Sequence, residues 1–318
     1  MSVLSFGSLN IDHVYSLPHI VRPGETIVAN EYAIHPGGKG LNQSLAMARA
    51  GLNVFHAGRV GKDGLWLRKL LESDGVDCRF VESGETHTGH AMIQVSERGE
   101  NSIVLYGGAN QSWTEAGIKG LFSDTAGHLG GSNWQALVCQ NEANGLPVLL
   151  RSAYECDIPV IFNAAPYSGD LQACDLSSLH TLLVNETEAM ELARVDSIEG
   201  AFAELQKRYP KVRLVMTLGA DGVRARQSEG LPDYSLPAFP AQVVDSTAAG
   251  DTFAGYYVAA LLSRKSFQEA LAWGSRAGSL AVSRAGAAPS IPYLAELQYE
   301  SNSPIKRPAS SRQNAGPG

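Results

Sequence analysis

The chain has 318 residues, and its 25 Lys and Arg against 32 Asp and Glu give a net charge of −7 with neutral histidines. This acidic balance, without a basic block, excludes the class of proteins that neutralise nucleic-acid phosphates. No C-x-x-C pair occurs among the four cysteines, so familiar zinc and redox spacings are excluded and reduced thiols in a cytoplasmic protein are expected. No signal-peptide pattern and no apolar run of the roughly 20 residues that a membrane span needs are visible.

Short apolar runs alternate with helical patterns along most of the chain. The apolar runs predict strands at residues 3–6, 54–57, 136–139, 160–163, 182–184 and 214–217. The helical patterns predict helices at residues 41–50, 65–71, 144–155, 201–209 and 252–263. Such alternation is typical of an α/β domain with a parallel sheet covered on both faces.

Two stretches, residues 13–36 and 87–107, break this alternation and predict β-hairpin material. In the second stretch, two strands are expected around a turn at Arg98-Gly99-Glu100. Insertions of this kind often form a lid over a ligand. We therefore expect residues 1–12, 37–86 and 108–298 to form the α/β domain, with the two stretches as a β lid. The Pro/Gly-rich polar residues 302–318 predict a disordered tail.

The segment VVDSTAAGDTFAG, residues 243–255, is the strongest local signal. A strand is expected to end at Val244, and a helix is expected to open around Asp251 after three small residues. Small side chains let an anion approach the backbone amides at a helix N-terminus. A carboxylate there can act as a general base beside a phosphate or can simply cap the helix, and the segment alone leaves both open.

A second segment, HPGGKGLNQ, places three glycines around Lys39 and ahead of Asn42 and Gln43. Polar groups beside bare backbone can bind a polar ligand, although a glycine-rich turn with a solvated lysine would have the same sequence. The Walker A spacing is absent.

Three shorter patterns add polar groups at expected strand ends. Asn10 and Asp12 follow the first strand and could face a ligand or form an Asx turn. Asn185 and Glu188 are three residues apart, which suits water-mediated magnesium binding or a helix cap. The segment VMTLGADGV suits a nucleotide pocket or a tight turn.

Together, these segments resemble the ribokinase-like (PfkB) family of carbohydrate and nucleoside kinases. The order of motifs carries the resemblance: GGKGLNQ, RVGKDG, TGHAMIQV, GEN, GAN, CQNE, NAAP, VNETE, TLGADG, DSTAAGD and SRAGAAPSIP. The resemblance spans residues 3–293 and implies a three-layer α/β/α fold with a mostly parallel central sheet and a small β lid. It also implies a homodimer formed through the lid.

The implied reaction is transfer of the ATP γ-phosphoryl group to a sugar. The resemblance is strongest to the ribose kinases of the family, and it therefore implies conversion of D-ribose to ribose 5-phosphate. Asp251 matches the catalytic base, and the amides of Ala249, Gly250 and Asp251 match the anion hole. The sugar-contact positions of the family correspond to Asn10, Asp12, Gly38, Lys39, Asn42, Glu142 and Asp251. The nucleotide positions correspond to Asn185, Thr217, Gly219, Ala220 and Gly222.

The resemblance further implies two kinds of cation. Glu188, together with Asn185, matches the motif that organises Mg²⁺ and the phosphates. The monovalent-cation site, expected to take K⁺, corresponds to Asp245, Thr247, Ala281, Gly286 and Ser290.

Some positions depart from the family pattern. Ala248 replaces a glycine, which would cost about 1 kcal/mol if the position needs a positive φ. Ser44 replaces an alanine, Ala164 replaces a proline, and the helix around Trp273 lacks the asparagine expected near adenine. Kinases acting on another sugar or on a nucleoside remain alternatives, as does a non-catalytic sugar-binding regulatory protein.

Overall fold

The structure is a computed structural model, and its described residues are 2–123 and 134–297. The expected tail, residues 302–318, lies outside them. Within the described part, the strands are β1 (Ser2–Phe6), β2 (Asn10–Leu17), β3 (Glu31–Gly37), β4 (Asn53–Gly61), β5 (Asp77–Gly84), β6 (Gly89–Ser96), β7 (Asn101–Tyr106), β8 (Ala136–Gln140), β9 (Val160–Asn163), β10 (Thr181–Asn185), β11 (Arg213–Thr217), β12 (Val223–Arg226) and β13 (Asp233–Leu236).

The α-helices described by the structure surround these strands. They are α1 (Lys39–Arg49), α2 (Leu65–Ser73), α3 (Glu115–Gly120), α4 (Leu146–Glu155), α5 (Glu186–Ala193), α6 (Ile198–Arg208), α7 (Ala249–Leu262) and α8 (Phe267–Val282). Each predicted helix and strand of the α/β alternation is present, with ends that differ by a few residues. Among the helices within residues 2–123 and 134–297, none has the length and apolarity that a membrane crossing requires.

Nine strands form the central sheet, in the order β13-β12-β11-β10-β9-β8-β1-β4-β5. The strands from β11 to β5 pair in parallel, whereas β12 and β13 are added in antiparallel orientation at one edge. The sheet is therefore mostly parallel, as expected. The three strands β5, β12 and β13 were not among the predicted ones.

Alternate residues of the inner strands face opposite sides of the sheet, because side chains of a strand alternate. Val3 and Val215 pack in the core beneath α1, α2, α7 and α8. Their neighbours Leu4 and Met216 pack in the core beneath α3, α4, α5 and α6. Two apolar cores on the two faces of one sheet make the three layers, which confirms the expected fold class.

The lid is a separate four-stranded sheet in the order β3-β2-β6-β7. Strand β2 pairs antiparallel with β3 and parallel with β6, and β6 pairs antiparallel with β7 around residues 97–100. Both hairpin stretches predicted from the sequence therefore contribute strands to one sheet. Because β2 begins at Asn10, the polar pair Asn10 and Asp12 belongs to the first lid strand.

The prediction of a strand that ends at Val244 is wrong. Within the described residues, the segment before α7 has no strand, and the side chains of Val243 and Val244 are exposed. The amide of Val244 donates to the carbonyl of Val282 at the end of α8, over 2.8 Å, instead of to a neighbouring strand. The apolar pair resembles a strand in sequence, but the helix end supplies its hydrogen-bond partner.

Helices α1 and α7 pack closely at Gly255, in the middle of α7. A Cβ added to Gly255 would overlap the Cβ of Ala46 and would lie 3.0 Å from the amide nitrogen of Met47. The backbones of both helices are rigid at this point, so neither can give way without a shift of the whole helix. Glycine at this position therefore sets the distance between α1 and α7.

Replacing Gly255 with alanine is expected to lower the free energy of unfolding by about 1–3 kcal/mol, because overpacking outweighs the better helix propensity of alanine. Chemical denaturation measures the change. The control is Gly120→Ala at the end of α3, where an added Cβ has nothing within 4 Å. A Gly255→Ala variant as stable as the Gly120→Ala control would contradict the close-packing argument.

Candidate active site

Two adjoining cavities lie beyond the carboxyl ends of β10 and β11. The first, of about 210 Å³, is bordered by Lys39, Asn185, Glu188 and Asp251. The second, of about 470 Å³, continues from it, since both are lined by Thr217, Ser246, Gly250 and Phe253. The structure therefore brings together groups from five separate motifs of the sequence.

Asp251 lies in the first turn of α7 and is 6% exposed. Its Oδ2 accepts a hydrogen bond from Asn42 Nδ2, and its Oδ1 accepts one from Gln43 Nε2, both over 3.0 Å. Burial raises the pKa of Asp251, while the charge of Lys39 and the two amide hydrogen bonds act to lower it. The carboxylate is thus held by α1 rather than used to cap its own helix.

Lys39, the first residue of α1, is surrounded by carboxylates. Burial acts to lower its pKa, but the charges of Asp251, Glu142 and Glu188 outweigh burial, so the pKa of Lys39 is raised. The ammonium group therefore stays charged at the junction of the cavity and the lid. A fixed positive charge at this point can attract a phosphate or a sugar oxygen.

Glu142 links this region to the first strand of the core. Its Oε2 accepts a short hydrogen bond from Ser8 Oγ and a second from the amide of Lys39 over 3.0 Å. Ser8 Oγ also accepts from the amide of Gly40. Sequence reasoning missed Ser8, although it lies only two residues before Asn10.

Asp12 lies against Gly37 of β3, where an added Cβ would overlap the Asp12 carboxylate. Burial, and after it the nearby charge of Glu142, raises the pKa of Asp12 to about 6. Gly38, with φ 97°, follows in a conformation that favours glycine and turns the chain into α1. The glycines of this segment let the chain pass beneath the polar groups of the lid.

Asn10 is held by a partner that the sequence did not single out as a site residue. The Nδ2 of Asn110 donates to Asn10 Oδ1 over 2.8 Å, and the Asn110 Oδ1 accepts from the amide of Leu9 over 3.1 Å. Asn42 Oδ1 is buried and has no hydrogen-bond partner within the described residues. A free, buried acceptor of this kind suits a ligand hydroxyl.

Asn185 and Glu188 form a capping box at the start of α5. The Asn185 Oδ1 accepts from the amide of Glu188 over 2.8 Å, and Glu188 Oε2 accepts from the amide of Asn185 over 2.9 Å. Both side chains also border the smaller cavity. Burial raises the pKa of Glu188 even though the Asn185 amide and Lys39 act to lower it. Capping therefore places a desolvated carboxylate beside the cavity.

The larger cavity contains the nucleotide positions expected from the sequence, Thr217, Gly219, Ala220 and Gly222. Its other walls come from residues 238–243 and from small residues of α8, namely Ser275, Gly278 and Ser279. Sequence reasoning missed these walls, because the segment 238–243 has no distinctive motif. In place of the asparagine expected on α8, serine and glycine leave an open, mostly apolar slot.

The turn into α7 contains Ala248 in a left-handed conformation, with φ 59° and ψ 8°. Just beyond it, the amide of Ala249 is 3.3 Å from the carbonyl of Ser246. The amides of Gly250 and Asp251 belong to the first turn, which has no intrahelical acceptors. Of the three amides expected to form the anion hole, that of Ala249 therefore already donates to Ser246, whereas those of Gly250 and Asp251 have no acceptor within the helix.

The expected monovalent-cation residues are only partly brought together. Asp245 accepts at Oδ1 from the amide and hydroxyl of Thr247 and at Oδ2 from the amide of Gly286, over 2.6–2.9 Å. Burial acts to raise the pKa of Asp245, but these hydrogen bonds outweigh it and lower the pKa.

The other two positions have local partners. The carbonyl of Ala281 accepts from the amide of Arg284, and it is the carbonyl of Val282 that contacts the amide of Asp245. Ser290 Oγ donates to the carbonyl of Ala287 over 2.7 Å. Sequence reasoning missed Val282, the residue whose carbonyl joins α8 to the amide of Asp245.

Replacing Ala248 with glycine is expected to raise the free energy of unfolding by about 0.5–1 kcal/mol, because glycine adopts the left-handed conformation without the alanine strain. Thermal or chemical denaturation measures the change. Ala249→Gly, one residue further on and helical, relieves no strain and should not raise stability. If both variants lose stability equally, the strain argument fails.

Comparisons with known proteins agree with this geometry. Residues 1–294 match the pfkB family carbohydrate kinases. The ribokinase of Haemophilus influenzae is 34% identical over 296 residues, which cover 90% of this chain and 94% of that protein. The ribokinase of Cryptococcus neoformans var. grubii serotype A, solved with ADP, superimposes with a TM-score of 0.81 at 35% identity, covering 94% of this chain and 99% of that one.

The ribokinase of Arabidopsis thaliana, solved with ribose and ATP, gives a TM-score of 0.78 at 27% identity and covers 94% of this chain and 97% of that one. The matches extend over the lid as well as the α/β domain. The chain therefore belongs to the pfkB family of carbohydrate kinases.

Proposed function

We propose that the protein is an ATP-dependent ribokinase, which transfers the γ-phosphoryl group of ATP to D-ribose and forms ribose 5-phosphate. The observation that carries the proposal is the buried Asp251 carboxylate, held by α1 between Lys39 and the open first turn of α7. The ribokinases that the chain resembles, one of them solved with ribose and ATP, support the choice of substrate.

In the proposed reaction, Asp251 accepts the proton of the attacking sugar hydroxyl. Burial raises its pKa, which makes the carboxylate a stronger base than an exposed aspartate. The free amides of Gly250 and Asp251 stabilise the charge that develops on the transferring phosphoryl group, and the Ala249 amide joins them when it leaves the carbonyl of Ser246. Lys39 adds a positive charge beside them. Positioning and electrostatics of this kind supply most of the catalysis of phosphoryl transfer.

The sugar is proposed to bind between the lid and α1. Asn10, Asp12, Asn42 and Glu142 provide the polar groups for its hydroxyls, with Gly38 and Lys39 beside them. The unpartnered Oδ1 of Asn42 supports this assignment, because an unsatisfied buried acceptor costs about 1–3 kcal/mol until a hydroxyl donates to it. ATP is proposed to occupy the larger cavity, with Thr217, Gly219, Ala220 and Gly222 beside it and Asn185 near its phosphates.

Glu188 fits a role in Mg²⁺ binding, since hard cations take oxygen ligands and a cation would stabilise this desolvated carboxylate. Mg²⁺, when bound with ATP, neutralises phosphate charge. For K⁺, the loop of Asp245, Thr247, Ala281, Gly286 and Ser290 offers an ionised carboxylate and several carbonyls. A cation there would stiffen the turn that leads to the anion-hole amides.

The lid supports a proposed homodimer. Within the described residues, it exposes a set of large apolar side chains that a second copy could cover: Tyr32, Ile34, Met92, Ile103, Val104, Leu105 and Tyr106. Strand β7 at the lid edge is exposed along nearly its whole length. A cytoplasmic location is also proposed, because the four cysteines are free, as is usual for proteins in a reducing compartment.

Measuring turnover with different acceptors tests directly which substrate the protein phosphorylates. With Mg²⁺, K⁺ and ATP present, ribose is expected to give faster turnover than deoxyribose, fructose or adenosine in an ATP-consumption assay. Preference for fructose or adenosine would instead identify a kinase for another sugar or for a nucleoside. Absence of turnover with every acceptor would support a non-catalytic sugar-binding protein and would overturn the proposed activity.

Asp251→Asn is expected to lower kcat by about 10²-fold or more while ribose affinity changes little, because the amide keeps the shape but cannot accept the proton. Steady-state kinetics and calorimetric ribose binding separate the two effects. Glu72→Gln, an exposed change on α2, serves as the control and should leave both unchanged. A rate for Asp251→Asn near that of the control would contradict the role of the base.

Ribose affinity is expected to fall as the pH drops below about 6, the pKa of Asp12. Protonation removes charge from a carboxylate that accepts sugar hydroxyls, so binding at pH 5 should be up to about tenfold weaker than at pH 7. Calorimetry measures the affinities. Asp12→Asn should bind weakly at every pH without this dependence, and an unchanged dependence in the variant would assign the titration to another group.

A further inference from the structure

Two glutamines in the described motifs have no part in the reaction as proposed. Gln43 ends the motif GGKGLNQ, and Gln140 is the second residue of the motif CQNE. Both side chains are fully enclosed, with exposures of 0% and 1%. Glutamine is rarely so deeply buried unless hydrogen bonds satisfy it.

The two glutamines and Asp251 form one hydrogen-bonded chain. Gln140 Nε2 donates to Gln43 Oε1 over 2.7 Å, and Gln43 Nε2 donates to Asp251 Oδ1 over 3.0 Å. The chain joins the end of β8, the middle of α1 and the first turn of α7. The chain thus links three separate elements at the proposed reacting carboxylate.

The chain has a fixed direction. An amide has a donor end and an acceptor end, so Gln43 could turn either one toward Asp251. An ionised carboxylate only accepts, so the NH₂ of Gln43 points to Asp251, and the NH₂ that Gln140 presents to the oxygen of Gln43 supports this orientation. In this orientation Gln43 supports the carboxylate as a hydrogen-bond acceptor, which is the form that a base requires.

Gln140 uses only the donor end of its amide, and its oxygen is left without a partner. Within the described residues, Gln140 Oε1 is buried and has no hydrogen-bond partner. The side chain fills the space over Gly7, where an added Cβ would overlap Oε1. A buried amide oxygen without a partner does not favour folding, so stability alone does not account for glutamine at this position.

We propose that Gln140 and Gln43 are positioning residues that act in series, with Gln140 orienting Gln43 and Gln43 orienting the Asp251 carboxylate toward the sugar hydroxyl. The inference rests on the proposed function, since it concerns the same base. Neither glutamine borders either of the two cavities. The charged groups that also face Asp251 are Lys39 of α1, Glu142 after β8 and Glu188 of α5.

Methionine variants test the series, because methionine has a similar shape and lacks both polar ends. Gln43→Met is expected to lower kcat about tenfold to 10²-fold, with the KM for ribose within about twofold. Gln140→Met should lower kcat about threefold to tenfold. In the double variant, Gln140→Met should cause no further loss, because it acts only through Gln43.

Comparing the melting temperature with kcat distinguishes a positioning role from a purely structural one, because in a purely structural role the two would change together. Gln43→Met leaves the NH₂ of Gln140 without an acceptor and should lower the melting temperature, whereas the double Met variant removes both polar groups and should recover it. The kcat should stay low in both. If kcat recovers together with stability, or if the two kcat losses multiply in the double variant, the series is overturned.

Ser44→Ala is the matched control on the same helix. Ser44 Oγ is buried and lies 2.8 Å from both Ser5 Oγ and His56 Nδ1, in a polar group separate from the glutamine chain. Its removal should lower the melting temperature with kcat within about twofold of wild type. A tenfold loss of kcat in this control would show that any buried change in α1 disturbs catalysis, and would overturn the specific role of the glutamines.

Side-chain amide NMR keeps the test independent of turnover. The NH₂ resonances of Gln43 are assigned by their loss in Gln43→Met. They should shift and lose exchange protection in Gln140→Met, or in Gln140→Asn should the Met variant not fold. Unchanged Gln43 resonances would overturn the series. A wild-type protein without ribose turnover would defeat only the proposed function, since the resonances report the series by themselves.

Discussion

The contact between α1 and α7 is the constraint on which the rest of the site depends. Asn42 and Gln43 can reach both oxygens of Asp251 only because the two helices approach closely at Gly255. Any larger side chain there would separate the Asp251 carboxylate from its two donors. A packing requirement in the core therefore fixes the geometry of a buried carboxylate several residues away.

The same close packing removes water from a cluster of charges. Lys39 is the cation among Asp251, Glu142 and Glu188, and it stays charged because those carboxylates outweigh its burial. The carboxylates in turn depend on Lys39 and on amide donors, since burial alone raises the pKa of Asp251 and Glu188. The net charge of −7 thus gives little information about the site, where phosphate would meet backbone amides, a lysine and a bound cation.

Residue patterns predicted the buried strands and long helices well, because both have strong apolar periodicity. They missed β12 and β13, which are short strands at a sheet edge: every second side chain of β12 and every side chain of β13 is only partly buried or exposed. They wrongly extended a strand to Val244, whose partner is the end of α8. The partners Ser8 and Asn110 were missed for a similar reason, because each contacts a residue about 30 or more positions away.

The sequence by itself determined the α/β alternation, the lid insertions and the positions of Asp251, Lys39 and the glycine-rich turns, because these depend on local composition and order. The family followed from the order of the motifs. Tertiary structure decided which groups meet. It turned the Asn185 and Glu188 pair into a helix cap that also borders the cavity, and it placed Ala248 in a left-handed turn. It also joined Gln140, Gln43 and Asp251 across 208 positions. Hydrogen bonds between distant segments leave no local pattern, so only the packed sheet and helices could reveal them.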